Sequence, residues 1–382
     1  METELIVVIP SYNEVSLIPT LHSIEQNSNH YQFEVIILFN NSDTADVAVK
    51  SVNLKAYHEV LNSTFRFNCL PIYVDDIPAK QAGVGLARKI GMDEAAQRFK
   101  SIDKNGIIAC LDADCTVADN YIDTIVEFFL QEHDLAAASI HYEHPFPEVE
   151  ATKQSIIDYE LHLRYHIDFQ KWLGLPYAYQ TVGSSMAVKS IDYTKQGGMN
   201  KRKAGEDFYF IHKFAAIERL GEIKNTMVFP SARISHRVPF GTGKAIFDMS
   251  EGKDFGTYHY QSYLMLQPLM NKVKLFYEHP ILLQEMELNA GLEAYLTSQD
   301  FNKVIQEIKD NTTSFEAFYK RFFQWFNAFR LMKYLHFMRD HYFENIEAKD
   351  GAAYLYNLLT NSKQPNWNAE DYLLWFRAWD KK

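Results

Sequence analysis

The sequence predicts an α/β protein: a mostly parallel sheet with flanking helices, followed by a mainly helical C-terminal region. Three observations carry this expectation. Short apolar runs alternate with amphipathic stretches through the first half of the chain, and each run ends in a polar cluster. Beyond about residue 245 the strand-like runs give way to helical, aromatic-rich sequence.

Taken in order, "ELIVVIP" reads as a first strand and "SYNEVSLIPTLHSIEQ" as a turn leading into a helix. "FEVIILFN" and "LPIYVDD" are further strands, "VGLARKIGMDEAAQRF" has helical spacing, and "GIIACLDAD" returns to strand. Nearly continuous apolar runs suit strands covered on both faces. Their alternation with helices argues for parallel pairing through right-handed crossovers. Ligands on such sheets lie beyond the carboxyl ends of the strands. Ser11 to Glu14, Asn40 to Asp43, Asp75–Asp76 and Asp112–Asp114 all fall at those ends. Further on, "EATKQSIIDYELHLRYHIDFQKWLG" reads as a helix and "GSSMAVK" as a short strand. "GEDFYFIHKFAAIERLG" reads as a helix closed by Gly221, and "ARISHRVPFGTGKA" as a basic, glycine-containing loop. The expected division is an α/β domain over residues 1–240 and a helical region over 241–382.

Bulk composition narrows the function. With 382 residues, 47% of them hydrophobic and 23% charged, the chain has ample material for a core. A formal charge of −11 argues against bulk nucleic-acid binding, which needs a basic footprint. Cys69, Cys110 and Cys115 form no disulfide framework and fit a reducing compartment. The N-terminus carries acids where a signal peptide needs bases, and no run reaches the ~18 apolar residues of a membrane span. A cytoplasmic location is the expectation. Residues 315–343 have amphipathic helical spacing, read first as core packing and second as a peripheral membrane contact.

The polar clusters hold the candidate chemistry. Asp112 and Asp114 are expected to project from one face of a strand, where two like charges need compensation. They could cap the next helix, or offer hard oxygen ligands to Mg²⁺ or Mn²⁺ on a diphosphate. Glu206 and Asp207 open a helix, where acids either complement the helix dipole or serve as a general base. Arg88 follows glycines 83 and 85 without P-loop spacing, so it belongs to a helix-opening loop or pairs with a phosphate. His162 and His166 share a helix face but lack the zinc-site glutamate, which favours a structural pair. His236 stands in the basic loop beside Arg233, Arg237 and Lys244, as an imidazole ligand or a structural residue.

In order, "VVIPSYNE", "VIILFNNSD", "GVGLARKIG", "LDADC", "GSSMAVK" with "GGMN", and "GEDFYF" resemble the family 2 glycosyltransferases of the GT-A fold, over residues 4–240. The resemblance implies hexosyl transfer with inversion from a nucleotide-diphosphate sugar, UDP-sugar first. It implies a Mn²⁺ or Mg²⁺ cofactor and a glycan or lipid-linked acceptor in cell-surface polysaccharide or glycoconjugate synthesis. Carried over by residue, Pro10, Tyr12 and Glu14 would line the nucleoside pocket. Asn40 stands where the family commonly has an acid near the base. Arg88 would contact the nucleotide, with Lys89 replacing a common Asn. Asp112 would approach ribose and metal, Asp114 would ligate the metal, and His236 resembles a late histidine ligand. Asp207 would be the base with Glu206 beside it, while Arg233, Arg237 and Lys244 would hold the diphosphate. The acceptor would meet residues 141–185, where His141, His144, Tyr159, Trp172, Tyr177 and Tyr179 could stack on sugar rings. Competing readings are a nucleotidyltransferase and a silent sugar-nucleotide or glycan binder. Oligomeric state is left open.

Overall fold

The structure, a computed structural model, describes residues 2–15, 17–27, 30–202, 205–234, 241–279, 283–363 and 365–382. Its strands are β1 (Leu5–Ser11), β2 (Phe33–Ser42), β3 (Asn68–Ile77), β4 (Ile107–Cys110), β5 (Thr116–Val117), β6 (Ala137–Tyr142), β7 (Met186–Lys189) and β8 (Leu220–Phe229). Among the described residues they form an eight-stranded sheet in the order β3-β2-β1-β4-β7-β6-β8-β5. Strands β3, β2, β1 and β4 run parallel, as do β6 and β8. Strand β7 is antiparallel to β4 and β6, and β5 to β8.

The helices preceding and flanking these strands are α1 (Leu17–Glu25), α2 (Val47–Asn62), α3 (Val84–Ser101), α4 (Tyr121–Gln131), α5 (Glu150–Trp172), α6 (Ser190–Lys195), α7 (Glu206–Ala215) and α8 (Thr242–Ser250). Strand β1 is central, with Val7 registered between Val35 and Ala109. Residues 5–9 are almost sealed from solvent, which is why they can be apolar without alternation. Because β1 to β4 are parallel, their carboxyl ends share one edge, and the polar clusters assemble there as expected.

Several local expectations are corrected. Asp112 and Asp114 do not belong to a strand: β4 ends at Cys110. They occupy the turn beyond it, in which the Cys115 amide donates to the Asp112 carbonyl at 3.1 Å. Helix α7 ends at Ala215, and Gly221 lies in β8 instead of capping the helix. A Cβ on Gly221 would meet Leu135 Cδ1 at 2.5 Å, so close packing explains that glycine. The tail of the expected basic loop, from Thr242, is the helix α8. The amphipathic stretch 315–343 is broken in two by Asn327, whose side chain accepts from the Arg330 amide at 3.0 Å and caps a new helix.

The chain divides into two compact units. The first comprises residues 1–156, 181–250 and 377–382, and the second 157–180 and 251–376. In the second unit the remaining helices are α9 (Tyr260–Leu264), α10 (Gln267–Asn271), α11 (Val273–Glu278), α12 (Ala290–Ser298), α13 (Phe301–Asp310), α14 (Phe315–Trp325), α15 (Ala328–His341), α16 (Ala348–Thr360) and α17 (Ala369–Asp380), the last reaching into the first unit. Its core is aromatic. Phe318 and Phe322 of α14 and Tyr334, Leu335 and Met338 of α15 are fully buried, the core reading of this stretch. Its histidine pair stacks: His162 and His166 lie 6.3 Å apart with rings 12° from parallel. His162 bonds Thr257 and His166 bonds Tyr263, as structural histidines do. No helix among the described residues is long and apolar enough to cross a membrane.

Candidate active site

The first unit gathers its acids and two arginines at the carboxyl edge of the sheet. Beyond β1, Tyr12 is exposed while Glu14 is only 1% exposed. Between them Asn13 adopts φ +51°, a conformation Asn tolerates. Its amide donates to Asn53 Oδ1 at 2.7 Å, which ties the turn to α2. Asn53 also donates to the Asn40 carbonyl at 3.3 Å and to Asn41 Oδ1 at 2.7 Å. Asn40 is thus buried in a polar network at the end of β2, beside the end of β1 that carries Pro10 and leads into the turn with Tyr12. The acids at the end of β3 have other partners, since Lys50 pairs with Asp75 at 3.0 Å and Asp76 at 3.1 Å.

In the turn beyond β4, Asp112, Asp114 and Cys115 bring potential ligand atoms within 4.8 Å of one another. Burial, with Asp114 and Asp112 nearby, pushes the Cys115 thiol well above its ordinary value. A buried, soft sulfur offers little to a hard cation. Two partly exposed carboxylates remain, the donor type that suits Mg²⁺ or Mn²⁺. The residues present fit such an ion. Asp114 also faces Arg233, whose Nε lies 2.8 Å from Asp114 Oδ2. The same guanidinium donates to Glu14 Oε1 at 2.8 Å and, through its other terminal nitrogen, to Glu14 Oε2.

A second arginine ties the turn to α7. Arg88, in the first turns of α3 and 3% exposed, donates to Asp112 Oδ1 at 2.5 Å and to Glu206 Oε1. Burial alone would lower its pKa, but Asp112 and Glu206 outweigh that and raise it. Gly183 makes room for this guanidinium, because a Cβ there would stand 2.3 Å from Arg88 Nη1. Glu206 is 2% exposed and opens α7 after Gly205, whose φ of +69° is left-handed and favours glycine. Asp207 follows, half-buried. Its Oδ1 accepts from the Phe208 amide at 2.7 Å. Burial, and next the Glu206 charge, push Asp207 up to about 7. A carboxyl that titrates there can accept a proton at neutral pH.

The structure thus brings together Glu14, Arg88, Asp112, Asp114, Glu206 and Arg233 in one connected set of ion pairs and neighbouring carboxylates. Arg237 and His236 lie outside the described residues. Lys244, expected on the diphosphate, pairs with Asp248 one turn along α8. Of the aromatic acceptor candidates, Tyr177 is buried 6.2 Å from Phe323, and His141 bonds Glu143 at 3.1 Å. Sequence reasoning missed the Glu14–Arg233 pair and the service of Gly183. Only the glycine in "VGSSM" hinted at the latter.

Residues 6–194 match the sequence model described as "Glycosyl transferase family 2". A search of curated proteins returns no match. Among solved structures, the chain is similar to S. aureus TarS in complex with UDP-GlcNAc, at 12% identity and TM-score 0.41, covering 80% of this chain and 73% of that one. It is similar to GalNAc-T7 with UDP, GalNAc and Mn²⁺, at 14% identity and TM-score 0.38, covering 83% and 56%. A third is the mannosyltransferase PcManGT from Pyrobaculum calidifontis in complex with GDP-Man and Mn²⁺, at 13% identity and TM-score 0.36, covering 100% and 89%. The matched segment runs from β1 into α6 and takes in both the turn beyond β1 and the paired aspartates, while Asp207 and Arg233 lie beyond it. With that match residues 6–194 form a glycosyl transferase family 2 domain, and the protein is a glycosyltransferase.

Proposed function

We propose that the enzyme moves a hexosyl group, with inversion, from a nucleoside diphosphate sugar to a hydroxyl of a glycan or lipid-linked acceptor. A UDP-sugar is the first donor to test, and cell-surface polysaccharide or glycoconjugate synthesis is the proposed setting. The observation that carries this reading is one chain of charge: Asp207 beside Glu206, Glu206 on Arg88, Arg88 on Asp112, and Asp112 beside Asp114. It links a base of suitable pKa to a carboxylate pair suited to a cation-borne diphosphate.

In this reading Asp207 takes the proton of the acceptor hydroxyl as its oxygen bonds the anomeric carbon. The bond from that carbon to the diphosphate breaks on the opposite face, and the nucleoside diphosphate leaves. Glu206 is occupied by Arg88 and acts as a positioning residue. Pro10, Tyr12 and Asn40 line the nucleoside side, while Glu14 holds Arg233 close to the diphosphate. Asp112 and Asp114, joined by His236 as the sequence motif suggests, would hold Mn²⁺ or Mg²⁺, which when bound offsets the charge gathering on the leaving group. Arg233 and Arg237 would hold the diphosphate, since planar guanidinium suits phosphate oxygens. The location proposed is cytoplasmic, with peripheral membrane contact as the lesser form.

The test is calorimetric titration of UDP and GDP, with and without Mn²⁺, on wild type and Asp114→Ala. Metal-dependent binding of one nucleotide that disappears in the variant supports the donor site. Failure of both nucleotides to bind folded wild-type protein overturns it.

A further inference from the structure

Resting on that reading, and going beyond it, we propose that Arg233 couples metal binding to donor binding. Its guanidinium is a built-in counter-ion that opposes a divalent cation at Asp114 until a diphosphate gives it another partner.

The argument starts with Glu14. This carboxylate is 1% exposed, so it has little water to hydrate it and needs a cation beside it. Arg233 supplies that cation through both terminal nitrogens, a forked geometry that fixes the plane of the guanidinium. The fixed plane leaves Nε 2.8 Å from Asp114 Oδ2. That contact is an ion pair without hydrogen-bond alignment. Glu14 therefore holds the arginine firmly, and Asp114 is the looser partner.

A divalent cation approaching Asp114 meets a positive charge that Glu14 will not release. Like charges at that separation repel, and a partly buried site screens them weakly. Arg233 itself is about one-third exposed, with 32% of its side chain accessible, so it remains open to an anion from solvent. A diphosphate arriving there neutralises the guanidinium and supplies oxygens of its own. Metal and nucleotide should therefore each strengthen the other's binding, by the same factor, as linkage requires.

The experiment follows free Mn²⁺ by its electron paramagnetic resonance signal, on wild type, Arg233→Gln, Arg233→Lys and Asp114→Asn, without nucleotide and with UDP. Thermal melting confirms folding. Lysine keeps a charge for Glu14 but is a point donor, so it remains informative if the glutamine variant does not fold. The expectation is that removing this unit charge tightens Mn²⁺ binding to the nucleotide-free protein roughly tenfold, with Arg233→Lys in between. The gain in Mn²⁺ affinity on adding UDP should shrink by a similar factor, and Asp114→Asn should abolish Mn²⁺ binding throughout. If all Arg233 variants bind Mn²⁺ as wild type does while Asp114→Asn does not bind, the metal site stands and the counter-ion role is overturned. If no form binds Mn²⁺, with or without UDP, the metal reading and this inference fall together.

Discussion

Asp207, the proposed base, combines that role with a stability penalty. Its carboxyl is lifted from the ordinary range to about 7, first by burial and next by Glu206. A group whose folded pKa lies above its unfolded value takes up a proton on folding, so stability falls as pH rises between those values. Its use as a base requires the opposite, since only the deprotonated form accepts a proton. Transfer measured as kcat/KM should therefore rise with pH up to about 7 and fall about tenfold per unit below it. Asp207→Asn should lose transfer, keep nucleotide binding, and melt higher than wild type at pH 8. A variant that melts lower there would show that the carboxylate is better accommodated than its burial indicates.

At the scale of elements, α3, α7 and the turn beyond β4 are joined by one side chain, and the segment before β7 only has to stay out of its way. A methyl group on Gly183 would overlap Arg88 at 2.3 Å from Nη1 and 2.6 Å from Cζ, atoms of a buried, doubly paired group that has little freedom to move. Gly183→Ala should destabilise the protein by about 1–3 kcal/mol, as overpacking does. It should also weaken donor turnover more than a surface substitution of equal destabilisation; denaturant unfolding alongside a donor assay separates the two. The same elements show what the sequence could carry. Strands β1, β2 and β4 were legible because burial on both faces leaves unbroken apolar runs, and the less buried edge strand β3 was legible from its apolar "LPIYV". The short β5, the half-polar β8 and the strand β6, with its Ser139 and His141, have no such run and were not anticipated. Asp112 was legible as a candidate from its place after a strand. Its pairing with Arg88, 24 positions back, was not, because tertiary contacts leave no local spacing. Glu14 and Arg233 are 219 positions apart, and nothing in either segment announces the other.

For the whole molecule, the telling feature is that residues 377–382 return to the first unit. Arg377, 7% exposed, donates to the His144 carbonyl at 2.8 Å and sits 4.8 Å from the Phe146 ring. Lys381 pairs with Glu143 at 2.6 Å. Burial alone would raise the pKa of Glu143, but His141, Lys381 and Arg377 outweigh it and hold the carboxyl at about 2. Its folded value is depressed, so this contribution is fully present above the unfolded pKa and is lost as pH falls through the folded one. Arg377→Ala should cost about 1–3 kcal/mol at neutral pH, the penalty of a lost charged hydrogen bond at a buried carbonyl. The melting difference between wild type and Glu143→Gln should narrow steadily as pH drops from 5 towards 2. A difference that stays constant with pH would remove Glu143 from the account.

The first unit also draws on three separated parts of the chain, and this bears on how it is made. A ribosome that has translated the sheet, both arginines and every acid of the site has still not supplied the residues that clasp Glu143 and His144. The nascent unit must wait, unfinished, while more than a hundred residues of the second unit emerge between residues 250 and 377. Chaperone dependence during synthesis, and sensitivity to early translational arrest, should therefore be read at this unit first.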